Sequence, residues 1–145
     1  VVLIRAGGDL DGVSYELESV APEKLAYARA RGFVSIRDDC IDQTYYCFTH
    51  ELGHALGAGH DFVDFTDASG YKHLRLYPDA YGTHVVDWDG RHLGTIMSYD
   101  GGLSRIFAFS NPAVNFGRTP LGTPGERDNA RAVRDGAAFV ARYER

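Results

Sequence analysis

The sequence predicts an α+β fold, and three features predict it. Short apolar runs, Val1-Val2-Leu3-Ile4-Arg5 and Phe33-Val34-Ser35-Ile36, have the β-branched content of strands. A central helical stretch runs from about Gln43 to Leu56 and is closed by Gly57. Near the C-terminus, Ala130, Val133, Ala137 and Val140 recur at helical spacing on one face.

The elements follow in order. Val1 to Arg5 reads as a buried strand, and Gly7-Gly8-Asp9 marks a turn after it. Gly12 to Leu17 alternates weakly and reads as an exposed or edge strand. Pro22 to Arg31 reads as a short helix, with Pro22 at a first helical position and Gly32 at the end. After the central helix, the stretch from Asp61 to Leu93 is rich in Gly, Asp, Tyr and His, with one hairpin expected around Asp87-Trp88-Asp89-Gly90. An irregular stretch that long in a compact domain carries function or is pinned, and a nearby metal would pin it. Thr123-Pro124-Gly125-Glu126 has the T-x-x-E form of a capping box, so the last helix is expected from about Pro124 to Tyr143, beneath the site.

The 145 residues fit one domain with a real core, and the 44% hydrophobic and 24% charged fractions are ordinary for a globular protein. No apolar run approaches the ~18 residues that span a bilayer. The net charge of −5 and the scattered Lys and Arg argue against nucleic acid as a partner. The chain opens without an initiator Met, directly on a strand, and is read as a processed or excised piece. Cys40 and Cys47, seven positions apart, lack the spacing of a zinc knuckle. They form either a local disulfide, as suits a secreted protein, or two buried thiols.

The chemistry concentrates in His50-Glu51-Leu52-Gly53-His54-Ala55-Leu56-Gly57-Ala58-Gly59-His60, which satisfies H-E-x-x-H-x-x-G-x-x-H throughout. Residues i and i+4 of a helix share a face, so His50 and His54 can converge on one ion. Glu51 then points beside the metal and can hold a metal-bound water. Gly57 lets the chain turn in a left-handed conformation, returning His60 as a third ligand. Three protein nitrogens leave one position open, the catalytic pattern for zinc.

These residues resemble the signature of the metzincin zinc endopeptidases, completed by the Met-containing turn Thr95-Ile96-Met97-Ser98-Tyr99. The resemblance implies a metzincin-like zincin catalytic domain in which Met97 forms an apolar floor under the histidines. Asp61, directly after His60, is similar to the reprolysin (adamalysin-like) group, where this acid is a buried partner of the Met-turn. Met97-Ser98-Tyr99 looks more like the serralysin and astacin groups, where the Tyr approaches the metal and stabilises the oxyanion. Ser110-Asn111-Pro112 with Asn129-Ala130-Arg131 looks like the bacterial reprolysin-like peptidases, the group this chain resembles most. The implied layout is a single domain, with an upper subdomain and active-site helix over 1–60 and a lower one with Met-turn and C-terminal helix over 61–145. The 49 residues before His50 would supply only the last strands of the family's mixed sheet, so the upper subdomain is expected to be a truncated remnant.

The expected activity is endopeptidase hydrolysis by attack of a zinc-bound water, with Glu51 as general base and Tyr99 as a second catalytic group. The expected substrate is an extended polypeptide, paired with the strand near Gly12 to Leu17 and read by a pocket wall from Leu103 to Phe109. The resemblance and the cysteines together imply a secreted protein. The main rival is a zinc-bound but inactive protein-binding domain or incomplete fragment, which an intact Glu51 disfavours. A structural zinc module would need Cys47 as fourth ligand. A peptidase acting on DNA-bound proteins is disfavoured by the acidic balance. Ser98 has no base partner for nucleophilic catalysis. His73, His84 and His92 read as surface or local hydrogen-bonding residues. Asp87-x-Asp89-Gly90 reads as a tight turn, and calcium there is unsupported by the rest of a ligand pattern. The oligomeric state has no signature in the sequence.

Overall fold

A computed structural model describes residues 1–8, 11–41, 46–61, 73–98 and 104–144. Three small sheets and three helices make up the described residues. The first sheet holds β1 (Val2–Arg5), β2 (Gly12–Ser14) and β3 (Val34–Arg37) in the order β1-β3-β2. β1 runs parallel to β3, pairing Val2 with Val34, and β2 runs antiparallel, pairing Gly12 with Ile36. A 3-10 turn at Pro22–Lys24 leads into α1 (Leu25–Arg31) before β3. This is the small mixed sheet expected, with β2 on its edge.

The expectation for β1 is corrected in one respect. The sequence reads it as a buried strand, yet Val2, Leu3 and Ile4 are each about half exposed. β1 lies at a sheet edge and pairs only with β3, so its apolar side chains are left without the layer that such a strand normally packs against. β3, in the middle, is buried at Val34, Ser35 and Ile36.

The central helix α2 runs from Cys47 to Ala55. Residues 42–45, where the expected helix begins, lie outside the described residues. Tyr46 has φ of 53°, left-handed and not helical, so α2 starts at Cys47 and not at Gln43. Cys40 and Cys47 are joined in a disulfide, with Cα atoms 5.7 Å apart. It ties the first residue of α2 to the end of the segment that follows β3.

The second sheet holds β4 (His84–Val86), β5 (His92–Gly94) and β6 (Ser104–Arg105) in that order. β4 and β5 form the expected hairpin, turning through Gly90 at φ of 78°. Asp87 organises the turn: its Oδ1 accepts from Asp89 N and Arg91 N at 2.9 Å, and its Oδ2 lies 2.8 Å from Arg91 Nε. Burial would raise the Asp87 carboxyl, but those bonds hold it below its ordinary pKa, and they build the tight turn expected there. A second hairpin, β7 (Asn111–Phe116) with β8 (Thr119–Leu121), was not anticipated from the sequence. Its Pro residues and a bulge between Asn111 and Asn115 hide the alternation that marks a strand.

The last helix, α3, spans Asn129–Val140. The capping-box reading is corrected. Thr123 and Arg127 form a bridge around a turn with Gly125 at φ of 76°, and Asp128 caps the helix by accepting from Arg131 N at 3.0 Å. The buried face also differs by one position: Asn129, Ala132, Gly136 and Phe139 are buried, while Ala137 is exposed. Two of those four are not apolar, so periodicity of apolar residues points to the neighbouring stripe. Gly136 is there because the helix meets the end of α2 closely: a Cβ on it would lie 2.1 Å from Leu56 O.

Among the described residues the core is three small clusters. Leu17, Ala28 and Phe139 join the first sheet region to α3. Ala58, Ile96 and Met97 form the second, with Phe109 and Val133 packed against them. Val85, Leu93 and Leu121 join the two lower sheets.

Candidate metal centre

The helix α2 sets the first two histidines one turn apart on its buried side. Gly57 then takes φ of 91°, the left-handed turn expected of it. A side chain there would also collide with Leu76, whose Cβ would lie 2.5 Å from the added atom. The chain reverses and brings His60 back. His50 Nε2 is 3.0 Å and His54 Nε2 is 2.8 Å from His60 Nε2.

The opposite ring nitrogens explain why these three meet through Nε2. His50 Nδ1 donates to Ile96 O at 2.9 Å, and His54 Nδ1 donates to Ala58 O at 3.1 Å. Carbonyls only accept, so each Nδ1 carries the proton and each Nε2 presents a lone pair. Burial pushes the His50 imidazole down to about 4, the His54 imidazole down to about 3, and His60 lower still. All three are therefore neutral at neutral pH, the state that binds a metal. Lone pairs aimed at one point repel unless a cation lies between them. The donor set thus fits a zinc ion bound by three imidazoles. Cys47 is committed to its disulfide and is not a fourth ligand.

Glu51 sits beside the cluster and is mostly buried. Ser14 Oγ donates to its Oε2 at 2.9 Å, and a Cβ on Gly12 would lie 2.4 Å from its Cγ, so β2 passes directly over it. Burial raises its carboxyl to about 7, and the Ser14 hydrogen bond opposes the rise. A carboxyl titrating there can take or give a proton at neutral pH.

Met97 is fully buried, and a Cβ on Gly53 would lie 2.6 Å from its sulfur. Gly53 lies between His50 and His54 on α2, so the thioether packs against the ligand-bearing helix. Asp61 is buried with its Oδ2 3.1 Å from His84 Nε2. Gly82 lies between Asp61 and the Met97 turn: a Cβ on Gly82 would meet Asp61 Oδ1 at 2.7 Å and Ser98 N at 3.1 Å. Ser98 donates to Thr83 O at 2.8 Å, which occupies its hydroxyl in holding the turn. Tyr99 and Leu103 lie outside the described residues.

Sequence reasoning gave no role at the site to two residues. Asn129, fully buried, binds the backbone of Gly59 at both ends: Gly59 N donates to its Oδ1 at 3.0 Å, and its Nδ2 donates to Gly59 O at 2.9 Å. It thereby fixes the residue before His60 from α3. The second is Glu16, which binds His73 Nδ1 at 2.7 Å. His73 reads from the sequence as a surface or local hydrogen-bonding residue; its partner is 57 residues away, and its ring lies 4.6 Å from that of His60. Only through-space proximity joins these pairs, so spacing in the sequence carries no trace of them.

A family model described as metallo-peptidase family M12, of the reprolysin type, matches residues 10–110. The chain belongs to metallo-peptidase family M12. The matched M12 segment contains the whole histidine cluster, Glu51 and Met97. Two curated proteins named peptidyl-Asp metalloendopeptidase are similar to it. One, from Stenotrophomonas maltophilia (strain R551-3), is 30% identical over 113 residues, covering 77% of this chain and 25% of its own length. The other, from Xanthomonas campestris pv. campestris, is 34% identical over 116 residues, covering 79% of this chain and 25% of its own length. The chain thus spans about a quarter of these relatives. No solved structure matches it.

Proposed function

We propose that this chain is the catalytic part of a zinc metalloendopeptidase, with His50, His54 and His60 as metal ligands and Glu51 as general base. The convergence of three histidine Nε2 atoms beside the buried Glu51 carboxyl is the observation that carries this reading. A zinc ion held by His50, His54 and His60 would supply a Lewis acid for the peptide carbonyl and would lower the pKa of a water toward ~7. Glu51 holds the proton taken from that water and returns it to the leaving amine. Ser14 holds the Glu51 carboxylate in place for both transfers. Ile96 O and Ala58 O keep two of the imidazoles oriented.

The finer assignments belong to the same proposal. The fold is a metzincin-type catalytic domain over 1–145, with an upper part to residue 60 and a lower part after it. Its support is the mixed sheet with an antiparallel edge strand and the buried Met97 turn. Gly57, Asp61 and Met97 support the site structurally. Tyr99 is assigned the oxyanion role from the resemblance alone. An extended peptide pairs with the edge strand β2. The disulfide supports a secreted protein. An inactive binding domain is not favoured, because the ligands and Glu51 are complete.

The names of the relatives suggest a preference for bonds beside Asp. Arg105 supports that choice. It pairs in register with Gly94, three residues before Met97. A cation on the strand paired with the segment that leads to Met97 would attract an acidic side chain.

The test is cleavage of a mixed quenched-peptide pool by protein stripped of metal and then reloaded with zinc. Activity that disappears on stripping and returns with one equivalent of zinc supports the proposal. A protein that holds one zinc and cuts nothing would refute it.

A further inference from the structure

The edge strand β2 sets two residues against Glu51. Gly12 and Ser14 alternate with Val13, so they share the face toward α2, while Val13 is on the other face and about half exposed. Ser14 Oγ donates to Glu51 Oε2 at 2.9 Å. At Gly12, the three atoms nearest to an added Cβ all belong to the same side chain: Glu51 Cγ at 2.4 Å, Oε1 at 2.6 Å and Cδ at 2.7 Å. One carboxylate oxygen is thus held by a hydroxyl, and the other stands where a side chain at position 12 would be.

The backbone does not ask for glycine here. Gly12 lies outside the left-handed region that Gly57, Gly90 and Gly125 occupy, so any residue can adopt its conformation. A glycine inside a strand also costs more chain entropy than an alanine. The strand, moreover, is clamped along its length. Arg37 N donates to Asp11 O at 2.8 Å, and Tyr15 N donates to Phe33 O at 3.1 Å. Between these bonds Gly12 and Ser14 pair in register with Ile36 and Val34, both buried. Further on, Leu17 N donates to His54 O at 3.1 Å, which fixes the same run of chain to the end of α2. A methyl group at position 12 therefore displaces the Glu51 carboxyl sooner than it displaces the strand.

Resting on the peptidase reading, we propose that Gly12 is a positioning residue for the general base: its missing side chain is the space in which the Glu51 carboxyl stands. Ser14 holds the carboxyl in that space from the next position on the same face. β2 is also the edge assigned to the extended peptide. One strand thus sets both the substrate main chain and the base that acts on it, which fixes their relative placement before reaction.

The experiment has two parts, both on zinc-loaded protein. A double-mutant cycle compares the thermal midpoints of wild type, Gly12→Ala, Glu51→Ala and the double variant. With Glu51 present, Gly12→Ala should lower the midpoint by roughly 4 °C. In the Glu51→Ala background the same change should leave it unchanged or raise it, because the added methyl meets nothing. The second part measures kcat, KM and zinc stoichiometry for wild type, Gly12→Ala, Ser14→Ala and Ser14→Thr on one peptide that the wild type cuts. Each variant should hold one zinc. In Gly12→Ala kcat should fall roughly a hundredfold with little change in KM, the mark of a misplaced base and not of weakened binding. Ser14→Ala should lose roughly tenfold in kcat, and Ser14→Thr, which keeps the hydroxyl, should recover most of it. An equal midpoint shift in the two Glu51 backgrounds would overturn the proposal, as would wild-type kcat in Gly12→Ala. Should Gly12→Ala fail to fold, the double variant decides: its folding supports the proposal and its failure overturns it. A wild type that binds zinc and cuts no peptide removes the peptidase reading, and this inference with it. An active wild type without coupling in the cycle overturns the inference alone.

Discussion

Replacing Asn129 by Ala tests the hinge between the third ligand and α3. The side chain makes two buried hydrogen bonds to Gly59, at 3.0 Å and 2.9 Å. Gly59 N keeps a second acceptor, Ala80 O at 3.0 Å, so its loss is partial. Gly59 O loses the donor from Asn129 in a buried place. The partly compensated Gly59 N bond contributes about 0.5 kcal/mol, the Gly59 O bond about 1 kcal/mol, and a buried carbonyl left without its donor about 1 kcal/mol more, so about 2.5 kcal/mol is expected. The residue being loosened directly precedes His60, so zinc should also bind about tenfold to a hundredfold more weakly, as when groups that orient a ligand are removed. Urea unfolding of the metal-free protein gives the first quantity, and competition with a coloured chelator gives the second. A destabilisation under about 1 kcal/mol with unchanged zinc affinity would refute the reasoning. A loss of stability with full zinc affinity would show that Asn129 holds the fold without positioning His60.

Three other outcomes are expected. In the metal-free protein, His50 at about 4 and His54 at about 3 lie below their unfolded value, so their contribution is present above pH 6.5 and is lost as pH falls toward 4. Glu51, raised to about 7, acts in the opposite sense over the same window. Each pKa unit is about 1.4 kcal/mol, so two histidines outweigh one carboxyl and stability should fall on acidification, as pH-dependent denaturant curves would show. A metal-free protein more stable at pH 4.5 than at pH 7 would contradict this. Changing Cys40 and Cys47 together to Ser should cost about 2 kcal/mol, from a bridge with a sequence separation of 7. Calorimetry measures it, and an unchanged midpoint would exclude a stabilising role. For Arg105→Gln, the ratio of kcat/KM on an Asp peptide to that on its Asn counterpart should fall by roughly tenfold or more, and an unchanged ratio would show that Arg105 does not read the acidic side chain.

The site was more legible than the fold. His50, His54, His60, Glu51 and Gly57 follow a helical period and one obligatory turn, both local geometry that sequence spacing encodes directly. Met97 was legible only through resemblance, because its packing on Gly53 joins residues far apart in the chain. β1 was misjudged because apolar content reports what a strand can bury, not what lies over it. The buried face of α3 was misplaced because Asn129 and Gly136 occupy it for a hydrogen bond and a close approach, neither of which hydrophobic periodicity registers. Tyr46 ended the extended reading of α2 through a left-handed backbone that propensity does not foresee. Glu16, His73 and Asn129 share one trait: each works through a partner more than 50 residues away.

The most direct measurement is peptide hydrolysis by Glu51→Ala protein, loaded with one equivalent of zinc, beside wild type loaded in the same way. The ligands are untouched by this change, so zinc should bind in both while turnover in the variant falls by at least about a hundredfold. Equal turnover in the two proteins, each with one zinc bound, would contradict the assignment of Glu51 as general base and with it the proposed mechanism.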